Sequence, residues 1–250
     1  PRRDVIGQLV EDLYTQGAAL VVLNILFAEP DRLGGDDDFI TILSKYPVVG
    51  TQVASVGGID TVATPRGLSY SGEPRQWLYQ YPGAVSNILP IASKMAGIGM
   101  VSTVPEIDGV VRRMPLFVRV GEKTIYPSLP MEVLRVLVNS KSAQIKSTPA
   151  GISKVRVRGF PIVHTDPHAR IWIDYSTEIQ RNVDVNGKIV LVGLIAEGLA
   201  QPVATPFGPQ DIHEVNAKTL HTILTGTSIK RLDISNLIEL ASFFLFGLIL

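Results

Sequence analysis

The sequence predicts an α/β fold in which a central mixed or parallel sheet is flanked by helices and is followed by the start of a transmembrane helix. Three observations predict it. A helical pattern of apolar residues over 5–15 stops near Gly17, and a nearly continuous apolar run over 18–27 follows at once. A second such run covers 188–193, and runs of this kind are typical of strands covered on both faces, as in parallel sheets. Residues 240–250 carry no charge, which predicts the first part of a membrane span, with a core or dimer helix as the weaker alternative.

The remaining elements are predicted in chain order from the same signals. The acidic run Asp36–Asp38 favours the N-cap and the positive end of the dipole of a short helix that ends at 45, with a cation site as the weaker alternative. An Asp-Gly turn within 105–109 predicts a hairpin between strands at 98–104 and 110–120. The other predicted elements are a strand at 46–53, an irregular excursion over 57–90, a helix at 128–138, partly exposed strands at 154–158 and 171–174, and an amphipathic helix over 214–226.

Composition excludes several classes of function. The chain has 250 residues with 23 basic and 23 acidic side chains, so its formal net charge is +0 and no basic surface for nucleic acid is expected. The hydrophobic fraction is 46% and the mean hydropathy +0.25, which is high for a soluble domain and agrees with a membrane anchor. Cysteine is absent, which excludes disulfides, cysteine-based zinc sites and thiol catalysis.

No motif of catalysis or cofactor binding is found. Lys188 precedes an apolar strand and is not part of a glycine-rich phosphate loop. Ser128 lacks the flanking glycines of a nucleophile elbow, and the four histidines form no metal-binding pair on a helix. We therefore predict no catalytic residue, no metal and no cofactor. Arg112 and Arg113 follow the Asp-Gly turn. Because adjacent strand residues point to opposite faces, at most one of the two can enter a pocket, and there it would favour an anionic or polar ligand. The alternative is that these arginines form surface salt bridges.

The order of several short blocks resembles the CHASE family of the second type, which comprises extracytoplasmic sensory domains of bacterial adenylate cyclases, histidine kinases and related receptors. Seven blocks in order cover nearly the whole chain, and an apolar span follows the last of them. They read LNILFAEPD at 23–31 with the acidic run after it, GIG at 97–99, DGVVRR at 108–113, YPSL at 126–129, GKIVLVG at 187–193, Ala-Thr-Pro at 204–206 and EVNAKTLHTIL at 214–224.

The resemblance implies a sensor domain over 1–230 and the start of a transmembrane helix over 231–250. It implies a bacterial inner-membrane receptor whose sensor faces the periplasm or the cell exterior, with a class III adenylate cyclase as the expected output module and a histidine kinase as the second choice. The chain would then be a non-enzymatic input domain and part of a homodimer, with an unknown ligand. The competing hypothesis is a membrane-tethered periplasmic α/β enzyme or solute-binding module.

Polar residues in loops at strand ends are where α/β sheets usually bind ligands. On this ground an input site is predicted near Arg112, Arg113, Thr205 and Glu214. Three positions depart from the family pattern and would alter the choice of ligand if they belong to a site. They are Asn24, where Asp is usual, and Asn216 and Lys218, where His and Asn are usual.

Overall fold

A computed structural model describes residues 2–57, 60–61, 67–180, 184–195, 202–229 and 235–249. The α-helices of this part are α1 (Arg3–Thr15), α2 (Asp36–Lys45), α3 (Leu89–Ala92), α4 (Leu129–Leu137), α5 (Ile212–Thr225) and α6 (Ser235–Ile249). The strands are β1 (Leu20–Asn24), β2 (Val48–Ser55), β3 (Asp60–Thr61), β4 (Leu68–Ser71), β5 (Gln80–Tyr81), β6 (Gly83–Val85), β7 (Gly97–Met100), β8 (Arg113–Pro115), β9 (Phe117–Val120), β10 (Thr124–Pro127), β11 (Ala143–Thr148), β12 (Gly151–Val157), β13 (Arg170–Trp172), β14 (Ile189–Gly193), β15 (Pro202–Thr205) and β16 (Gly208–Asp211).

The central sheet has a parallel core in the order β14-β1-β2-β7. β2 is the longest strand of this core, and its last three residues pair with β6 in the antiparallel direction. β6 in turn pairs with β3 in parallel. The sheet is therefore mixed, and the predicted α/β class with a mixed central sheet is confirmed.

Helices cover both faces of this sheet. On one face, Val21 and Val48 pack with side chains of α1, α2 and α3 in a single apolar cluster. On the other face, Val22 and Val49 pack with side chains of α4 and α5. Since neighbouring strand residues point to opposite faces, the continuous apolar runs of β1 and β2 serve both layers at once.

A second apolar core lies beyond the central sheet. It joins the smaller sheets β10-β9-β5 and β12-β11-β4 to the outer side of α4. Phe117, Met131 and Val155 are fully buried there. α4 thus contributes to both cores and holds them together.

Most of the long predicted elements are confirmed, among them α1, α4, α5, β1, β2 and β14. The predicted hairpin is wrong: β7 pairs with β2, whereas β8 pairs with β13 and β9 with β5 and β10. The excursion over 57–90, of which 58–59 and 62–66 lie outside the described residues, contains β3 to β6 and leads into α3. The acidic run lies in the first turn of α2, but the N-cap is Gly35 and makes no side-chain capping bond. Asp36 instead accepts hydrogen bonds from Arg3 and from the backbone N–H of Asp31.

The predicted membrane segment is described only in part, because 231–234 and 250 lie outside the described residues. α6 covers most of the remainder. Within the described part of the chain, no helix has both the length and the apolar character that a membrane crossing requires. The start of a transmembrane helix over 231–250 therefore stays a prediction.

Candidate functional site

Arg112 lies on the surface and pairs with a carboxylate of its own loop. Its Nη1 donates to Asp108 Oδ1 at 2.9 Å, and its Nη2 lies 2.8 Å from Asp108 Oδ2. These contacts lower the pKa of Asp108 to about 2, mainly through the hydrogen bond from the guanidinium. The pair closes the loop before β8. Arg112 thus forms the surface salt bridge that the sequence offered as the alternative to a position in a pocket.

Arg113 lies at the centre of a half-buried ion network. It donates two hydrogen bonds of 2.6 Å to Glu106 and one of 3.0 Å to Asp166, and its guanidinium lies 5.1 Å from the centre of the Trp172 ring. Asp166 also accepts a bond of 2.8 Å from Arg170. The network fastens the 105–109 loop to β8 and β13, and the bond from Arg113 lowers the pKa of Glu106.

We expect Arg113→Leu to lower the free energy of unfolding by about 1–2 kcal/mol, because it leaves two carboxylates without their shared partner. The pKa of Glu106 is lowered in the folded protein, so the stability that this group contributes is present above its unfolded value of about 4.3 and is lost as the pH falls through the folded value. The difference in the free energy of unfolding between the variant and the wild type, measured with urea, should therefore be smaller at acidic pH than at neutral pH. Arg112→Leu serves as the control and should hardly move the midpoint; equal effects of the two variants would contradict the assignment.

The other two predicted site residues have different surroundings. Thr205 is buried in the β15–β16 turn, where its Oγ1 donates to Gly208 O at 2.6 Å and accepts from the N–H of Phe207 at 3.3 Å. Glu214 lies in the first turn of α5 and lines a groove beside β14. The segments that carry the four predicted site residues meet at one apolar cluster, which includes Val111 and Val215. The described contacts of the four side chains themselves do not converge on one point.

A row of small and polar residues crosses the carboxyl end of the central sheet. Asn24 pairs with Gly193 of β14, and Thr51 pairs with Gly99 of β7. The register of Val22 with Val49 places Asn24 next to Thr51, so all four residues share the face that α4 and α5 cover. This row replaces apolar packing with two glycines and two hydrogen-bonding side chains at the edge where α/β sheets bind ligands.

The N-terminal turns of α5 lie over this row. A Cβ on Gly193 would come within 2.6 Å of the His213 ring, so only glycine leaves room for the imidazole. One turn on, Asn216 Nδ2 donates to Val101 O at 3.3 Å and to Ile212 O at 2.8 Å. Asn216 is 1% exposed, and its Oδ1 is a buried acceptor for which the described residues supply no donor. A buried amide oxygen of this kind can accept a further hydrogen bond.

The arrangement offers groups that can hydrogen-bond to a ligand. Its polar groups are two amides, a hydroxyl and an imidazole, and the described residues contain no cluster of three metal-ligating side chains. Thr51 Oγ1 already donates to Ile25 O at 3.3 Å. Sequence reasoning missed Thr51 and the contact of His213 with Gly193, because the register of parallel strands cannot be read from local pattern.

The family model for the CHASE2 domain matches residues 1–250, the whole of the chain. The chain is a CHASE2 domain. This family comprises extracytoplasmic sensory domains, so the predicted sensory role and the suspected family are confirmed at this level. No curated protein and no solved structure was found to match the chain.

Two of the three departures from the CHASE2 pattern lie at the carboxyl end of the sheet. Asn24 belongs to the row itself, and Asn216 lies above it on α5. The third, Lys218, is buried and donates to Tyr175 O at 3.1 Å and Thr177 O at 2.8 Å. Lys218 therefore holds the 175–177 segment against α5, whereas both asparagines lie at the carboxyl end of the sheet.

Proposed function

We propose that this CHASE2 domain is the signal-input domain of a membrane-bound bacterial receptor, facing the periplasm or the cell exterior, and that it regulates a class III adenylate cyclase on the cytoplasmic side. The family match over 1–250 is the observation that carries the proposal. The apolar helix that follows the sensor domain in the chain supports it. α5 covers the carboxyl end of the sheet, ends at Gly226 with φ of 69°, and is followed by the apolar helix α6.

The input site of this receptor is the carboxyl end of the central sheet, beneath the start of α5. Asn24, Thr51 and Asn216 offer amide and hydroxyl groups, and no carboxylate lies in the row. A small, neutral, polar molecule that donates a hydrogen bond to Asn216 Oδ1 fits these groups best, because an ion would be desolvated there without an opposite charge. The loops with Arg112, Arg113 and Thr205 border the same end of the sheet, and a contribution from them stays a prediction.

Bound ligand would act through α5. This helix contacts the row at its N-terminal end and leads toward α6 at its C-terminal end. A ligand that hydrogen-bonds to Asn216 Oδ1 would change the position in which α5 packs best on β14. If the ligand binds more tightly to one of two such positions of α5, it increases the population of that position and so changes the activity of the output module.

The output is tested with membranes that contain the full-length protein, in which we expect formation of cyclic AMP from ATP. Asn216→Leu and Asn24→Leu should each change this rate at least about threefold, since both remove polar groups from the input site. Asn216→Leu also removes the donor to Val101 O, so it should lower the free energy of unfolding by about 1–3 kcal/mol, and the rates are therefore compared per amount of folded receptor.

Gln144→Leu is the matched control, because it removes an exposed amide from β11, far from the row. Its rate should equal that of the wild type. Membranes that form no cyclic AMP would overturn the choice of output module, and a kinase activity in its place would assign the second one. Cyclic AMP formation that is identical in all three variants would leave the cyclase but remove the input site.

A further inference from the structure

The outer edge of β14 is built like an interior strand. β14 pairs with β1 over all five of its residues, and no strand of the described part of the chain pairs with its other side. Its sequence, Ile-Val-Leu-Val-Gly, has no charge and no proline, and each residue is only half-buried. Proteins normally protect such edges with charged residues, proline or bulges. The edge strand β12 of this chain does so, with Lys154 and Arg156.

The edge lies in a groove of about 990 Å³ that is lined by both apolar and polar side chains. One wall is a stripe of α5 with His213, Ala217, His221 and Leu224, spaced by four, four and three residues. Leu13 of α1 lies in the other wall. The faces of β14 pack against α1 and α5, whereas its outer hydrogen-bonding edge pairs with no strand of the described residues and is open to a partner that continues the sheet.

The geometry points to a second copy of this chain, bound through β14 to β14 across a two-fold axis. Such an axis makes an interface of one patch with itself and pairs two identical edge strands antiparallel, so the two central sheets become one. The partner's β14 would satisfy the open backbone groups, and its α5 would pack beside this one. The contact is independent of which output module the receptor carries.

The charges at the two ends of the groove agree with this pairing. Lys188 is exposed just before β14, and Glu214 lies at the opposite end, next to His213, which contacts Gly193. The ends are about 17 Å apart at roughly 3.3 Å per residue. Antiparallel pairing places each Lys188 near Glu214 of the other copy, whereas a parallel arrangement would place like charges together.

The contact also gives the dimer a role in signalling. It puts the two α5 helices side by side, and each α5 covers a candidate input site and leads toward α6. Movement of α5 on ligand binding would then change the spacing of the two chains where they approach the membrane.

Charge exchange tests the pairing directly. The dissociation constant of the dimer is measured by sedimentation of the 250-residue chain in mild detergent. Lys188→Glu and Glu214→Lys should each raise the dimer dissociation constant at least about tenfold, because each places like charges at both ends of the interface. An equimolar mixture of the two variants should recover the wild-type value within about threefold, since every contact in the mixed dimer again joins opposite charges. Lys154→Glu on β12 is the control and should not change the constant.

A cross-link supplies the second measurement. The chain has no Cys, so single cysteines placed in turn at 189–192 of the full-length receptor report only their own neighbours. At least one should form a disulfide between copies in membranes, and a cysteine at Ser153 on β12 should not. A mixture that associates no better than the single variants, or a membrane receptor without any cross-link from β14, would overturn the proposal.

Discussion

Replacing Glu132 by alanine is expected to cost about 3–5 kcal/mol of unfolding free energy, the largest effect of any single polar substitution considered for this chain. Glu132 and Arg135 form a buried ion pair on α4, with side chains that are 2% and 11% exposed. Arg135 donates two hydrogen bonds of 2.9 and 2.6 Å to Glu132, and these bonds raise the pKa of Arg135. Without the carboxylate, the guanidinium stays charged in a site that water hardly reaches.

The remaining contacts of Arg135 explain why it cannot simply move to solvent. It donates to Ser140 O at 3.0 Å and to Ala96 O at 3.1 Å, and so it joins the end of α4 to the residue before β7. Urea unfolding of the 250-residue chain measures the loss. Glu11→Ala removes a carboxylate from an exposed pair with Lys45 at 3.8 Å and should cost less than about 1 kcal/mol.

A second variant separates the buried charge from a general disturbance of α4. Adding Arg135→Leu to Glu132→Ala removes the unpaired charge, so the double variant should be more stable than Glu132→Ala alone. A loss below about 1 kcal/mol for Glu132→Ala, or a double variant that is less stable than the single one, would mean that the pair does not hold α4 in place.

The parallel core of the fold could be predicted from the sequence because its strands carry their own signal. β1 and β14 are continuous apolar runs, since both of their faces are covered, and no amphipathic helix gives that pattern. The ends of two helices could be predicted as well. Gly17 and Gly226 follow α1 and α5 with positive φ values of 90° and 69°, which glycine adopts without strain.

Strand pairing could not be predicted in the same way. The Asp-Gly signal at 108–109 correctly marks a turn, since Gly109 has φ of 80° and its N–H donates to Glu106 O. The turn nevertheless joins strands that belong to different sheets. β7 is drawn into the parallel core by β2, about fifty residues earlier in the chain, and a local signal contains no information on so distant a partner.

The same limit applies to the candidate site. Arg112 and Arg113 were singled out by residue type, and each is paired with carboxylates of nearby loops. The row of Gly193, Asn24, Thr51 and Gly99 exists only through the register of four parallel strands, each from a different part of the chain. Asn24 attracted notice solely as a departure from the family pattern, which is a signal of sequence comparison and not of local chemistry.

Gly99→Ala is expected to lower the thermal midpoint by about 2–12 °C, because the added methyl group has no space at the contact of β7 with α4. Its Cβ would lie 2.4 Å from Leu129 Cα and 2.7 Å from Leu129 N, and backbone atoms cannot turn aside as the end of a side chain can. The start of α4 must therefore move away from the sheet, an overpacking that typically costs about 1–3 kcal/mol, or roughly 2–4 °C for each kcal/mol in a chain of this size.

Gly57→Ala is the matched control, since its nearest neighbour would be Ser55 Oγ at 3.8 Å, and its midpoint should stay within about 1 °C of wild type. Calorimetry of the 250-residue chain measures both variants. If Gly99→Ala unfolds at the wild-type temperature, α4 is not seated on β7 as closely as described, and the row at the carboxyl end of the sheet has more room beneath the helices than these contacts allow.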